Sequence, residues 1–234
     1  MRMRSIVRRL RTVGRILVGR DLLVRRDVRV RKERFGSEYG GWDLAIEHLV
    51  RDPVIYSFGV GEDISFERAL IDRFKLTVHA FDPTPKSIKW IMSQKLPDGF
   101  IMHQYGIAAT DGMLQFNPPE NPAHVSYTLT DRPSADGATI SAPVKRLATV
   151  MRELGHTHID VLKMDIEGAE YEVIGDLVAS KIFPAQLLVE FHHRLPNIGS
   201  GRTKDAIEML RQTGYLLFSI SPTNEEFAFI LRTS

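Results

Sequence analysis

Residues 159–171 read Ile-Asp-Val-Leu-Lys-Met-Asp-Ile-Glu-Gly-Ala-Glu-Tyr. An apolar run leads into Asp165 and Glu167, then Gly168, then a helix-forming stretch. That order predicts a buried strand with carboxylates at its carboxyl tip, where open α/β sheets bind ligands. Folding alone does not ask for acids there, because burying them is costly unless they are paired or used.

Two further stretches share this organisation. Residues 54–61, Val-Ile-Tyr-Ser-Phe-Gly-Val-Gly, end a strand in a glycine turn, and residues 78–83, Val-His-Ala-Phe-Asp-Pro, end another in an acid. The pattern predicts helices over residues 43–51, 65–74 (Ser65 as N-cap), 85–94, 169–180 and 203–213, and a strand end followed by a helix over 143–155. Strands are expected over 54–58, 76–81, 100–108, 159–164 and 186–191. Residues 112–116 read as a hairpin partner. Residues 215–220 and 226–231 read as an antiparallel pair around Ser-Pro-Thr-Asn. The expected fold is α/β and Rossmann-like: a mostly parallel, doubly wound sheet with a C-terminal antiparallel hairpin. Residues 117–137, rich in Pro, Asn, Ser and Asp, read as a lid or binding loop.

The 234 residues carry a formal charge of +2, which hides an asymmetry. Residues 1–35 hold thirteen basic and three acidic residues; the rest hold eighteen and twenty-six. Ile6, Leu10, Val13 and Leu17 recur at helical spacing among arginines, so an amphipathic helix is expected over residues 5–18, with residues 1–35 as a basic extension and 36–234 as the main domain. One reading docks the extension on an anionic membrane surface. Another packs it on the acidic domain. Nucleic acid fits less well, since no aromatic side chain is interleaved to stack on bases. The chain has no cysteine, which excludes thiolate chemistry and disulfides. No membrane-length apolar run or secretory signal is evident, so the expected location is cytoplasmic, with peripheral contact at the inner membrane face as an option.

Gly59 and Gly61 let the backbone turn tightly and approach a ligand. Ser65 and Phe66 occupy the region of the dinucleotide fingerprint's third glycine, and Glu62 and Asp63 would repel a pyrophosphate. A cationic ligand suits them. S-adenosyl-L-methionine has an ammonium, a sulfonium and no phosphate. Asp82, 21 residues beyond Gly61, stands where an acid binds ribose hydroxyls, and it also suits a plain Asx turn. The backbone near Ala108 is expected beside the adenine, and Glu167 beside the cofactor.

Asp165, Glu190 and His192 are the candidate catalytic residues, with Glu190 and His192 on one face of the next strand. They suit a general base for a hydroxyl or ligands for a divalent metal. Pairing among themselves or with Arg194 is the structural alternative. The other histidines, including His48, His79 and His103, read as singletons.

The segment Leu162-Lys163-Met164-Asp165-Ile166-Glu167-Gly168-Ala169-Glu170 resembles the signature of FkbM-type methyltransferases. Val144-Lys145-Arg146-Leu147, Leu188-Val189-Glu190-Phe191-His192 and the order of the motifs are similar too. The resemblance spans roughly residues 37–232. It implies a class I, S-adenosylmethionine-dependent fold and O-methyl transfer to a hydroxyl, often on a sugar or natural product; a lipid acceptor is a further option. Carried over by position, Gly59, Gly61 and Asp82 contact the cofactor, with Asp165 and Glu167 beside it. One departure is Ser57, where the family has an acid; Glu62 or Asp63 would then meet the ammonium. The alternatives are a nicotinamide-dependent oxidoreductase and a non-catalytic membrane-docking module.

Overall fold

The computed structural model describes residues 14–16, 21–116, 139–195 and 198–232. The expected helix over 5–18 lies outside them except for residues 14–16, which are helical, and the expected loop over 117–137 lies outside them entirely.

The central sheet has seven strands: β3 (Ile55–Phe58), β4 (Val78–Phe81), β5 (Phe100–His103), β9 (Val161–Met164), β10 (Gln186–Glu190), β11 (Tyr215–Ile220) and β12 (Glu226–Leu231). Their order is β11-β12-β10-β9-β3-β4-β5. The five strands from β10 to β5 run parallel; β12 is antiparallel to both β10 and β11. This is the expected doubly wound sheet with its hairpin. The chain runs outward from β3 to β5, then returns to lay β9 beside β3. The reversal opens a crevice at the carboxyl tips of β3 and β9.

Strands β3 and β9 are buried at every residue, so they read as apolar runs rather than as alternation. Tyr56, Phe58, Leu162 and Met164 face one core, shared with helices α3 (Leu147–Leu154), α4 (Glu170–Ala179) and α5 (Gly199–Gln212). Ile55, Val161 and Leu188 face the other, under α1 (Ser65–Phe74) and α2 (Pro85–Met92). Each such side chain contributes roughly 1.5–3 kcal/mol when fully buried.

Three local expectations are corrected. Residues 43–51 are not a helix: β2 (Trp42–Leu44) pairs with β1 (Glu33–Phe35), and a single 3-10 turn follows at Ile46–His48. Burial of Trp42 and Leu44 imposes the two-residue period, and the Gln186 side-chain amide bonds both backbone polar groups of Ala45. The strand expected over 100–108 divides: β6 (Gly106–Ile107) leaves the main sheet to pair with β8 (Ile140–Lys145). The other partner of β8 is β7 (Gly112–Phe116), so residues 112–116 form their hairpin with β8. Finally, Ser65 is not the N-cap. It is the first residue of α1, and its N–H donates to Asp63 Oδ1 at 2.8 Å.

Candidate active site

A crevice of about 980 Å³ runs over the tips of β3, β4, β9 and β10. Gly59, Gly61, Glu62, Asp63, Asp82, Asp165, Glu167, Glu190 and His192 all line it. Residues up to 133 positions apart in the chain thus converge, as the strand-tip pattern predicts. Ala108 does not line it. Gly106 and Ile107 form that wall, while Ala108 packs beneath with Phe116 and Val144.

The glycine turn is held from below. Gly59 adopts φ +73° and its N–H donates to Phe81 O at 2.9 Å. Asp82 is buried and bridges the two turns: Oδ2 accepts from Gly61 N–H at 3.0 Å, and Oδ1 accepts from Thr84 N–H and Oγ. Asp82 thus closes the Asx turn and also lines the crevice. Burial raises its carboxyl pKa above the usual range, and these donors oppose the rise.

Ser57 lies behind the turn and donates to Glu67 Oε1 at 2.6 Å. The acid missing from the tip of β3 is thus matched by a buried one from α1, whose Oε2 accepts no hydrogen bond among the described residues. Asp63 accepts from Ser65 N–H and from Ser37 Oγ, which ties the crevice wall to residues 37–40. Burial opposes the Asp63 charge, but these bonds outweigh it and lower the pKa.

Lys163 was not expected in the site. It is buried in β9, donates from Nζ to Gly59 O at 3.0 Å, and lies 5.7 Å from the centroid of the Trp42 ring. Its sequence signal is a lysine inside an otherwise apolar strand.

At the other end, single ligating atoms of Asp165, Glu190 and His192 lie within 4.8 Å of one another. Glu170, fully buried at the start of α4, orients the histidine: its Oε1 accepts the His192 N–H at 2.8 Å and lies 3.2 Å from Nδ1. Nε2 then points to Glu167 at 3.2 Å and Asp165 at 3.7 Å. Glu167 takes φ +52°, a strained value for a residue with a side chain. Burial raises Asp165 to about 6, with Glu167 and Glu170 adding repulsion and Lys163 and His192 opposing. Glu190 is raised well above its usual range by burial and by Asp165. Burial opposes the His192 imidazolium, but Glu170, Glu167 and Asp165 outweigh it and hold its pKa well up. Arg194 pairs with Asp21 and Glu225 rather than with Glu190 or His192.

The expected singletons His79 and His103 are a stacked pair, with Nδ1 and Nε2 3.0 Å apart. They share a face with Tyr56 and Phe81, away from the crevice.

Fold and site define a Rossmann-like α/β protein with an acid-rich crevice at its sheet reversal. The chain belongs to the FkbM methyltransferase family: residues 52–217 match the model described as "Methyltransferase FkbM domain". It is 28% identical over 166 residues to the probable methyltransferase-like protein 24 of Rattus norvegicus, covering 70% of this chain and 38% of that protein. It is 27% identical over 152 residues to the hexuronic acid methyltransferase AglP of Haloferax volcanii, covering 64% and 60%. The chain thus spans between 38% and 60% of these relatives' lengths. A crystal structure of methyltransferase FkbM from Methylobacillus flagellatus aligns with a TM-score of 0.47 at 12% identity, over 77% of this chain and 44% of that one.

Proposed function

We propose that the crevice binds S-adenosyl-L-methionine and that the protein methylates a hydroxyl on a sugar, lipid or natural-product acceptor. The supporting observation is a continuous crevice that joins the glycine turn and Asp82 to the Asp165–Glu190–His192 cluster. Its acids fit the cofactor's two positive charges, and Glu62 and Asp63 beside the turn disfavour the pyrophosphate of a nicotinamide dinucleotide. When bound, the cofactor supplies a methyl on a sulfonium, whose transfer to a hydroxyl oxygen leaves a neutral thioether and releases one proton.

The chain's own groups prepare that transfer. Gly59 and Gly61 keep the floor open to close approach, and Asp82 offers an acceptor for ribose hydroxyls. Asp165, raised towards neutrality by burial, takes the acceptor's proton with Glu190 beside it. His192 balances these carboxylates. The same three residues have the donor set for a divalent cation, which would lower the hydroxyl's pKa. Holding the acceptor in line contributes up to about 7–11 kcal/mol in favourable systems. A relative named as a hexuronic acid methyltransferase supports a sugar within this acceptor class.

Calorimetric titration with S-adenosylmethionine tests the reading. One-to-one binding, followed by mass gain on a hydroxylated acceptor, is expected; no saturable binding refutes it.

A further inference from the structure

The basic segment joins the folded domain at Asp21, whose carboxylate is fully buried. Its Oδ1 accepts from His193 Nε2 at 3.0 Å and from Asn224 Nδ2 at 2.6 Å; Oδ2 accepts from Arg194 Nη2 at 2.6 Å. Arg194 also pairs with Glu225, which lines the crevice. The segment therefore enters at the crevice rim, on the side of His192.

From there it runs along edge strand β11. Asp27 N–H donates to Leu217 O at 2.8 Å, Leu217 N–H donates to the Asp27 carboxylate at 2.9 Å, and Arg211 pairs with the same carboxylate at 2.9 Å. Val24, Val28 and Val30 pack against the core. Arg25, Arg26 and Arg29 are left exposed and line a shallow groove. No carboxylate pairs with them among the described residues. Leu23 beside them is 77% exposed.

Residues 1–20 add seven arginines and no acid, while residues 36–234 are net acidic. An anionic surface therefore attracts the face that carries Arg25, Arg26 and Arg29 and repels the acidic domain. The apolar side chains before Phe35 are all aliphatic, which suits an acyl boundary and gives no platform for bases.

We infer that the arginine face of residues 21–31 docks the protein on an anionic phospholipid bilayer. Because they enter at the rim, docking turns the crevice mouth towards a surface that carries the acceptor. The choice of acceptor rests on the methyltransferase reading; the docking itself does not. A failed cofactor titration would thus overturn the one and leave the other.

The test is co-sedimentation of the full chain with phosphatidylcholine vesicles, with and without phosphatidylglycerol, at low and high salt. Binding is expected only with the anionic lipid, with release by high salt. The variant Arg25→Ala/Arg26→Ala/Arg29→Ala should keep its circular dichroism and lose about fivefold in affinity per arginine. The single variant Arg26→Glu should shift binding in the same direction. Because the chain has no cysteine, an environment-sensitive dye at Tyr39→Cys can report the crevice mouth, and one at Asp98→Cys the opposite end of the sheet. Only the first should respond to vesicles. Absent or lipid-independent binding, wild-type affinity in both arginine variants, or tighter binding to duplex DNA than to the anionic vesicles at the same salt overturns docking on lipid. A response at Asp98→Cys instead overturns the orientation.

Discussion

The carbonyl oxygen of Asp165 lies 1.6 Å from the point a Cβ on Gly59 would occupy. The tips of β3 and β9 are packed so closely that one must lack a side chain. Gly59→Ala would force them apart and add a left-handed penalty of about 1–2 kcal/mol. We expect a loss of several kcal/mol, above the usual range of roughly 0.5–3 for point changes, with loss of cofactor affinity. Gly155→Ala is the control. Its φ is also +73°, but nothing lies within 4 Å, so only the left-handed penalty applies. Chemical denaturation of both variants measures the difference; equal losses would contradict the packing argument.

Asp82→Ala removes an acceptor from Gly61 and Thr84 as well as the proposed ribose contact. Leaving buried donors unmet costs about 1–3 kcal/mol of stability. Titration well below the lowered melting temperature should show cofactor affinity reduced at least about tenfold, the scale of one charge-assisted hydrogen bond. Wild-type affinity in the folded variant would remove Asp82 from the cofactor site.

His192→Ala tests the reaction end. Removing a group engaged with the proton-accepting carboxylates should lower kcat by about 10²–10⁴-fold, while cofactor affinity changes little. A variant with unchanged kcat would make the cluster a structural feature.

The stacked His79–His103 pair predicts a pH dependence. Burial, then the neighbouring His103 and His156, lowers His79 from 6.5 to about 4. The folded state therefore binds this proton less readily than the unfolded chain. His79 stabilises fully above pH 6.5, and its contribution falls as pH drops towards about 4. His79→Phe should keep the stacking and flatten the loss of melting temperature across that window. An unchanged slope would show that the pair stays uncoupled from folding.

Much of the site could be read locally. Asp165, Glu167 and Gly168 end a strand within a single stretch, and the Gly59–Gly61 turn and Asp82 each mark a strand tip. The helix expected over 43–51 failed because its residues are recruited by distant ones: Phe35 pairs with Trp42, and Gln186 grips Ala45. The histidine pair leaves no local signal, because His79 and His103 meet only through the parallel register of β4 and β5.

Order and period along the chain determined the α/β class, the parallel sheet and the strand tips that carry acids, because burial on both faces leaves its mark on successive residues. Tertiary structure alone decided which groups touch. Glu170 reaches His192, Glu67 meets Ser57 behind the turn, Lys163 holds the Gly59 carbonyl, and Asp21 seats the arm at the rim. Such contacts depend on strand order and helix placement in space, which neighbouring residues along a chain do not encode.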